Sequence, residues 1–254
     1  AFSHDNRWHL NLIRWLRHQT FPILGCDRSL MLEGQLSVPC LGLISEEFIV
    51  ALSVSADYPV LVDLSACIEC ENRFIEPIIK KRIDTVAENL SFAVPEKFNL
   101  IRDRDLIVKR HREIGRRKFF GDLGKLVKKR VVSSDKEQHR QQPMAFSFKK
   151  QTVGSELLTY SLSQCQDEKR DRIIKSYFFS FGNKDSCRVC GGCSAICHTG
   201  ALKLKKDDHP KQLCFDAIRC NGCYLCQDFC KQQALSIMPI GEKKFTPKTP
   251  LKIC

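Results

Sequence analysis

The chain has 254 residues, 43% of them hydrophobic, with 41 Lys and Arg against 29 Asp and Glu for a formal charge of +12. That length suits one large domain or two to three small ones with packed cores. No stretch reaches the roughly 18 uncharged apolar residues of a membrane span, the run Phe48–Val54 being preceded by Glu46 and Glu47, and no secretory signal peptide is legible. Fifteen cysteines are the dominant compositional feature. Eight of them fall into two identical spacing patterns, which a disulfide framework does not require, so metal ligation in a reducing cytoplasm is the expected use.

Four zones follow in chain order. Residues 1–92 are expected to form a small parallel α/β domain. Phe21–Gly25, Leu36–Pro39 and Val60–Leu64 read as short buried strands, each ending at or near a cysteine: Cys26, Cys40 and Cys67. Between the second and third strands, Ser45-Glu46-Glu47-Phe48 reads as a capped helix start, giving a strand–helix–strand crossover between parallel strands. Asn72–Leu90 reads as an amphipathic helix through Phe74, Ile75, Ile78, Ile79, Ile83, Val86 and Leu90, with Pro77 marking a kink or a later start. Residues 93–184 are expected to be a basic helical and linker region, since 102–130 holds twelve Lys/Arg against four Asp/Glu, a net of +8. Residues 185–240 form the cysteine-rich module, and 241–254 an extended Lys/Pro-containing tail.

Within the third zone Cys187-x2-Cys190-x2-Cys193-x3-Cys197 recurs as Cys220-x2-Cys223-x2-Cys226-x3-Cys230. The offset between the runs is the same at all four positions, and it carries Ala201-Leu202 onto Ala234-Leu235. An internal duplication of this kind predicts two halves related by a pseudo-twofold axis. Three Cys spaced by two residues wrap one face of an iron–sulfur cube, and a fourth, three residues on, points away from it. Structural zinc sites pair two short arms across a longer gap instead. Residues 185–240 resemble bacterial-type two-cluster ferredoxins, which implies two [4Fe–4S] clusters. The resemblance implies crossed ligand sets: Cys187, Cys190, Cys193 and Cys230 for one cluster, Cys220, Cys223, Cys226 and Cys197 for the other. The chain departs from that family in having His198 and Lys231, not Pro, after each fourth Cys. Each cluster with its four thiolates carries about −2, so the loaded protein is only moderately basic.

Cys26, Cys40, Cys67 and Cys70 remain as a third candidate site, three of them at the carboxyl ends of predicted parallel strands, where open α/β sheets collect ligands. The alternatives are small buried hydrophobes, a zinc site or a redox-active dithiol. Ile23-Leu24-Gly25-Cys26, Val38-Pro39-Cys40-Leu41-Gly42 and Pro59-Val60-Leu61-Val62-Asp63-Leu64-Ser65-Ala66-Cys67 resemble the delta subunit of methyl-viologen-reducing hydrogenases and the related domains of heterodisulfide reductases. That resemblance covers about residues 20–92 and implies a third iron–sulfur cluster, [4Fe–4S] or [2Fe–2S]. It departs in having fewer cysteines after the first strand and a narrower last pair. Cys165, Cys214 and Cys254 lack partners at ligand spacing and read as core or surface thiols.

The expected fold is therefore α+β and multidomain: a small parallel α/β unit, a helical basic middle and a pseudo-twofold ferredoxin-like module. The expected function is an iron–sulfur electron-transfer subunit of an anaerobic oxidoreductase complex, itself non-catalytic and cytoplasmic. Its partners would be protein subunits docking on the basic segment 102–130. Two alternatives stand beside it: a reductase whose N-terminal site acts on a disulfide or small acceptor, and a redox-sensing nucleic-acid binder. Segment 102–130 has only Phe119 and Phe120 as aromatics and no nucleic-acid motif, which weighs against the last. Trp8, Leu12, Trp15 and Leu16 share one helical face and read as core or interface anchors.

Overall fold

The computed structural model describes residues 8–17, 19, 22–29, 32, 35–91, 94–103, 105–109, 149–205, 211–242 and 252–253. Most of the basic segment 102–130, and Cys254, lie outside the described residues.

Four parallel strands make the first sheet: β1 (Ile23–Cys26), β2 (Gln35–Val38), β3 (Val60–Asp63) and β4 (Phe98–Ile101), in the order β2-β1-β3-β4. Ile23 sits opposite Gln35 and Leu61, and Val60 opposite Phe98. All four residues of β1 and of β3 are buried, which is why these strands read as continuous apolar runs and not as alternating ones. The parallel sheet was expected from the sequence; β4 was not, because Phe98-Asn99-Leu100-Ile101 is interrupted by a polar residue and follows a short turn at Pro95–Lys97.

The crossover from β2 to β3 is helix α2 (Glu46–Ser55), whose cap Ser45 accepts a hydrogen bond from the Phe48 amide at 3.3 Å. Phe48 to Ser53 and Ser55 are all buried, and the hydroxyls of Ser53 and Ser55 donate to Ile49 O and Ala51 O one turn back. A helix apolar on every side must be covered on every side. The coverage comes from α1 (Trp8–Arg17), from α3 (Ile75–Leu90) and from a later helix, α4 (Val153–Gln164). Helix α3 starts at Ile75, a little past the expected start, so Pro77 falls in its first turn, where a missing amide leaves no bond unmade. Ile75, Ile79, Ile83, Val86 and Leu90 form its buried stripe, while Phe74 and Ile78 face outward.

Helix α4 and its successor α5 (Asp167–Tyr177) join the two halves of the molecule. On one side α4 packs on α2 and α1, with Nε2 of buried His9 2.8 Å from Oε2 of Glu156. On the other, the Ser155 hydroxyl donates to Ile218 O, just before Cys220. The apolar core is thus continuous from Leu12 and Leu52 through Leu157 and Ile173 to Leu202, Phe215 and Ile237.

The C-terminal module has two small antiparallel sheets. In the first, β5 (Phe179–Asn183) pairs with β8 (Leu235–Pro239); in the second, β7 (Gln212–Asp216) lies between β6 (Leu202–Lys205) and β9 (Lys252–Ile253). Two one-turn helices, α6 (Gly192–Ile196) and α7 (Leu225–Asp228), start at the offset that separates the two cysteine runs, as do β6 and β8. No helix among the described residues is long and apolar enough to cross a membrane.

Replacing the α2 cap, Ser45→Ala, is expected to destabilise the protein by about 1 kcal/mol, read as a lower denaturation midpoint with the iron content unchanged.

Candidate metal centres

The duplicated loops repeat in backbone conformation as well as in cysteine spacing. Val189 and Gly222 are left-handed, with φ 49° and 67°; so are Gly191 and Tyr224, at 82° and 59°, and Gly200 and Gln233, at 70° and 46°. The members of each pair occupy equivalent positions in the two repeats. Turn hydrogen bonds recur at equivalent positions too: Cys187 N to Lys184 O with Cys220 N to Ala217 O, and Gly200 N to Cys197 O with Gln233 N to Cys230 O. Two left-handed residues between the first and third cysteines curl the chain so that successive thiols turn to the same side. A β-branched residue such as Val189 suffers steric strain in that conformation.

Cys187, Cys190, Cys193 and Cys230 line one cavity of about 370 Å³, with Gly191, Gly192 and Phe229 in its wall. Cys197, Cys220, Cys223 and Cys226 line a second, narrowed to about 20 Å³ between Thr199, Phe215, Tyr224 and Ile237. In each, three thiols come from one repeat and the fourth from the other. Among the described residues no group of three or more His, Cys, Asp or Glu side chains converges as tightly as a single metal ion requires. These thiols ring cages, and a donor set of four thiols round a cage is the one a cubane takes. Glycine is needed where the loop passes its neighbours: a Cβ on Gly222 would stand 2.2 Å from the Phe179 ring, and one on Gly192 3.1 Å from Phe229. Phe179 also meets Tyr224 edge-on, at 6.2 Å between ring centres.

Burial and crowding raise three of these thiols. Burial, then the neighbouring Cys197 and Cys223, push the Cys220 thiol up to about 11. Cys226 is likewise pushed to about 11 by burial and then by Cys220, Cys197, Cys193 and Cys223, so it senses both sets. Burial, with Cys187 and Cys190, also raises Cys193. Cys197 goes the other way: burial opposes its thiolate, but hydrogen bonds from Thr199 Oγ1 and from the amides of Leu202, Ala201 and Gly200 outweigh it. Iron supplies the positive charge that four gathered thiolates need.

At the N-terminal sheet, Cys26 ends β1, Cys40 follows β2 closely, and Cys67 closes the turn after β3. All three thus stand at the carboxyl edge of the parallel sheet, with Cys70 one turn further on. Asp63 Oδ1 accepts from both the amide and the hydroxyl of Ser65, fixing the turn that carries Cys67. The Cys67 thiol is pushed up to about 11 by burial first, then by Cys26, Cys70 and Cys40, and last by Glu76. The four residues singled out in the sequence therefore share one electrostatic environment. Backbone amides point at two of the sulfurs: Gly42 N to Cys40 Sγ at 3.4 Å and Asn72 N to Cys70 Sγ at 3.5 Å.

Cys165 and Cys214 line neither of the two cavities. Cys165 caps the end of α4 and donates to Ser161 O, with burial foremost in raising its pKa; Cys214 is buried in β7. His198 and Lys231 are exposed, Lys231 at the wall of the first cavity and His198 beside Asn221. The sequence reading missed Val189, Tyr224 and Thr199. Only their place in the repeat marks the first two, and only its closeness to Cys197 marks the third.

Removing the strain at Val189 by Val189→Gly is expected to raise stability by about 1 kcal/mol with no loss of iron. The reverse change at the matched position, Gly222→Val, drives a side chain into Phe179 and should remove about four irons per chain, one cubane's worth. Iron analysis and thermal denaturation under anoxic conditions read both.

Comparison with known proteins bears on the C-terminal module. The family model described as a 4Fe-4S dicluster domain matches residues 186–247. An uncharacterized ferredoxin of Methanocaldococcus jannaschii is 31% identical over 62 residues, which is 24% of this chain and 80% of that protein. No solved structure matches the chain significantly. The matched residues hold both cysteine runs, both cavities and the repeated left-handed turns. Through this module the chain belongs to the dicluster ferredoxins, proteins with two [4Fe–4S] clusters and an iron–sulfur electron-transfer role.

Proposed function

We propose that the chain is the electron-transfer subunit of an anaerobic, cytoplasmic oxidoreductase complex. In this reading it relays single electrons between an N-terminal cluster, the two ferredoxin clusters and a catalytic partner. The observation that carries it is the gathering of Cys26, Cys40, Cys67 and Cys70 at one sheet edge in a molecule that also has two four-thiol cages. One cluster is held by Cys187, Cys190, Cys193 and Cys230, and the other by Cys220, Cys223, Cys226 and Cys197. The N-terminal four hold a third, [4Fe–4S] or [2Fe–2S], as the resemblance to hydrogenase delta subunits suggests. When bound, each cluster takes up and gives back one electron. The chain's own part is to hold the thiolates and donate amide hydrogen bonds to sulfur.

Two features support a wire over a free-standing enzyme. A single continuous core joins the N-terminal unit to the ferredoxin module, which suits fixed spacing between redox centres. Exposed apolar side chains flank the cysteines at both ends: Leu43, Ile68, Phe74 and Ile78 near the N-terminal four, and Tyr224, Leu225 and Phe229 by the ferredoxin loops. Apolar surface of this kind marks sites of protein contact. The basic segment 102–130, outside the described structure beyond Lys109, is the proposed docking element for an acidic partner surface.

Iron and sulfide analysis of anoxically prepared protein is the test. About twelve irons per chain mean three cubanes, about ten mean two cubanes and one [2Fe–2S] cluster, and about eight reject the N-terminal centre. The paired change Cys67→Ser and Cys70→Ser should lower the count by two to four, roughly, and leave the ferredoxin signals in EPR untouched. Isolation of the native protein without any associated subunit would reject the complex.

A further inference from the structure

One of the N-terminal cysteines has a cation bonded directly to its sulfur. Arg28 Nη1 lies 3.6 Å from Cys70 Sγ, across 42 residues of chain. The guanidinium is presented from a turn clamped on both sides. Before it, the Asp27 amide donates to Val38 O, and Asp27 Oδ1 accepts from the Ser37 hydroxyl at 2.5 Å. After it, the Ser29 amide donates to Cys26 O, and Ser29 Oγ accepts from the Cys26 amide. Ser29 is itself buried. The same short loop therefore anchors Cys26 at its start and delivers Arg28 to Cys70. Glu76 acts on Cys67 as well, and Arg102 binds Glu76 at 2.6 Å and offsets it; Glu69 and Glu71 flank Cys70 in the chain, and Asp27 precedes Arg28.

We propose that Arg28 is a redox-positioning residue: its guanidinium, held on the Cys70 sulfur, biases the N-terminal centre toward its reduced state. This rests on the reading of that centre as a cluster, and it holds for either cluster type. With four thiolates, a [4Fe–4S] or a [2Fe–2S] centre goes from about −2 to about −3 on accepting one electron, donated by a ferredoxin cluster that is oxidised by one electron in the same step. No bond forms or breaks. A fixed positive charge at the sulfur attracts the more negative state more strongly, and a hydrogen bond to a ligand sulfur acts in the same direction. Arg28 is exposed, so water and salt weaken the effect without reversing it.

The test is an EPR-monitored redox titration of the full chain, with the N-terminal signal identified as the one missing from the Cys67→Ser, Cys70→Ser protein. Arg28→Gln keeps the polarity of the side chain and removes the charge. It is expected to retain its iron and to lower the ratio of reduced to oxidised N-terminal centre about fivefold at a fixed potential, a downward shift of about 40 mV at 59 mV per tenfold. Arg28→Lys should restore most of the ratio, the ferredoxin signals should not move in either variant, and added salt should shrink the difference between wild type and Arg28→Gln. An unchanged N-terminal potential in iron-replete Arg28→Gln overturns the role of Arg28 and leaves the cluster standing. Loss of N-terminal iron in Arg28→Gln also overturns it, by making Arg28 a structural clamp. About eight irons in the wild type remove the cluster itself.

Discussion

Gathering four thiols at one place is unfavourable until a positive charge joins them, and the rest of this structure serves to hold them there. Each thiolate repels its neighbours, and burial adds to the penalty, as the raised pKa values of Cys67, Cys220 and Cys226 record. The loops meet that cost with backbone geometry. Left-handed residues at matched positions of the two repeats turn successive side chains inward, at Val189 and Gly191 in one and Gly222 and Tyr224 in the other. Amide and hydroxyl donors then reach the sulfurs, most fully at Cys197, where they overcome burial.

The exchange of the fourth cysteine between repeats follows from the same geometry. After each curled loop a single helical turn, α6 or α7, carries the chain away from its own cavity and toward the neighbouring one. Neither half therefore completes a cage alone, and Cys226 feels thiols of both sets. Close approach of two centres suits the transfer of single electrons, and it comes here from the covalent path of the chain and not from a separate docking step.

The α/β unit solves the problem differently. Its four cysteines come from three strand ends and a turn, and they meet because parallel strands all release their chain at one edge. Helices α4 and α5, distant in sequence from α2 and α3, cover those helices and reach the ferredoxin module, with Ser155 bonded to Ile218 beside Cys220. This apolar joint ties the edge that carries the N-terminal cysteines to the ferredoxin module through one packed core.

The sequence by itself determined the elements whose chemistry is local. The duplicated cysteine run and its spacing, the cap at Ser45 and the apolar runs of β1 and β3 depend on the order of residues along the chain, and such signals survive in a linear reading. The tertiary structure decided the rest. The polar-interrupted β4 becomes a strand only because β3 offers it an edge, and α2 is apolar all round only because α4 arrives from far along the chain to cover it. Val189 adopts a conformation that its own side chain disfavours because the loop must close on a cage. Arg28 reaches Cys70 because two loops end at one sheet edge. These are contacts between residues far apart in the chain, where packing and metal-site geometry outweigh local preference, and no spacing along the sequence encodes them.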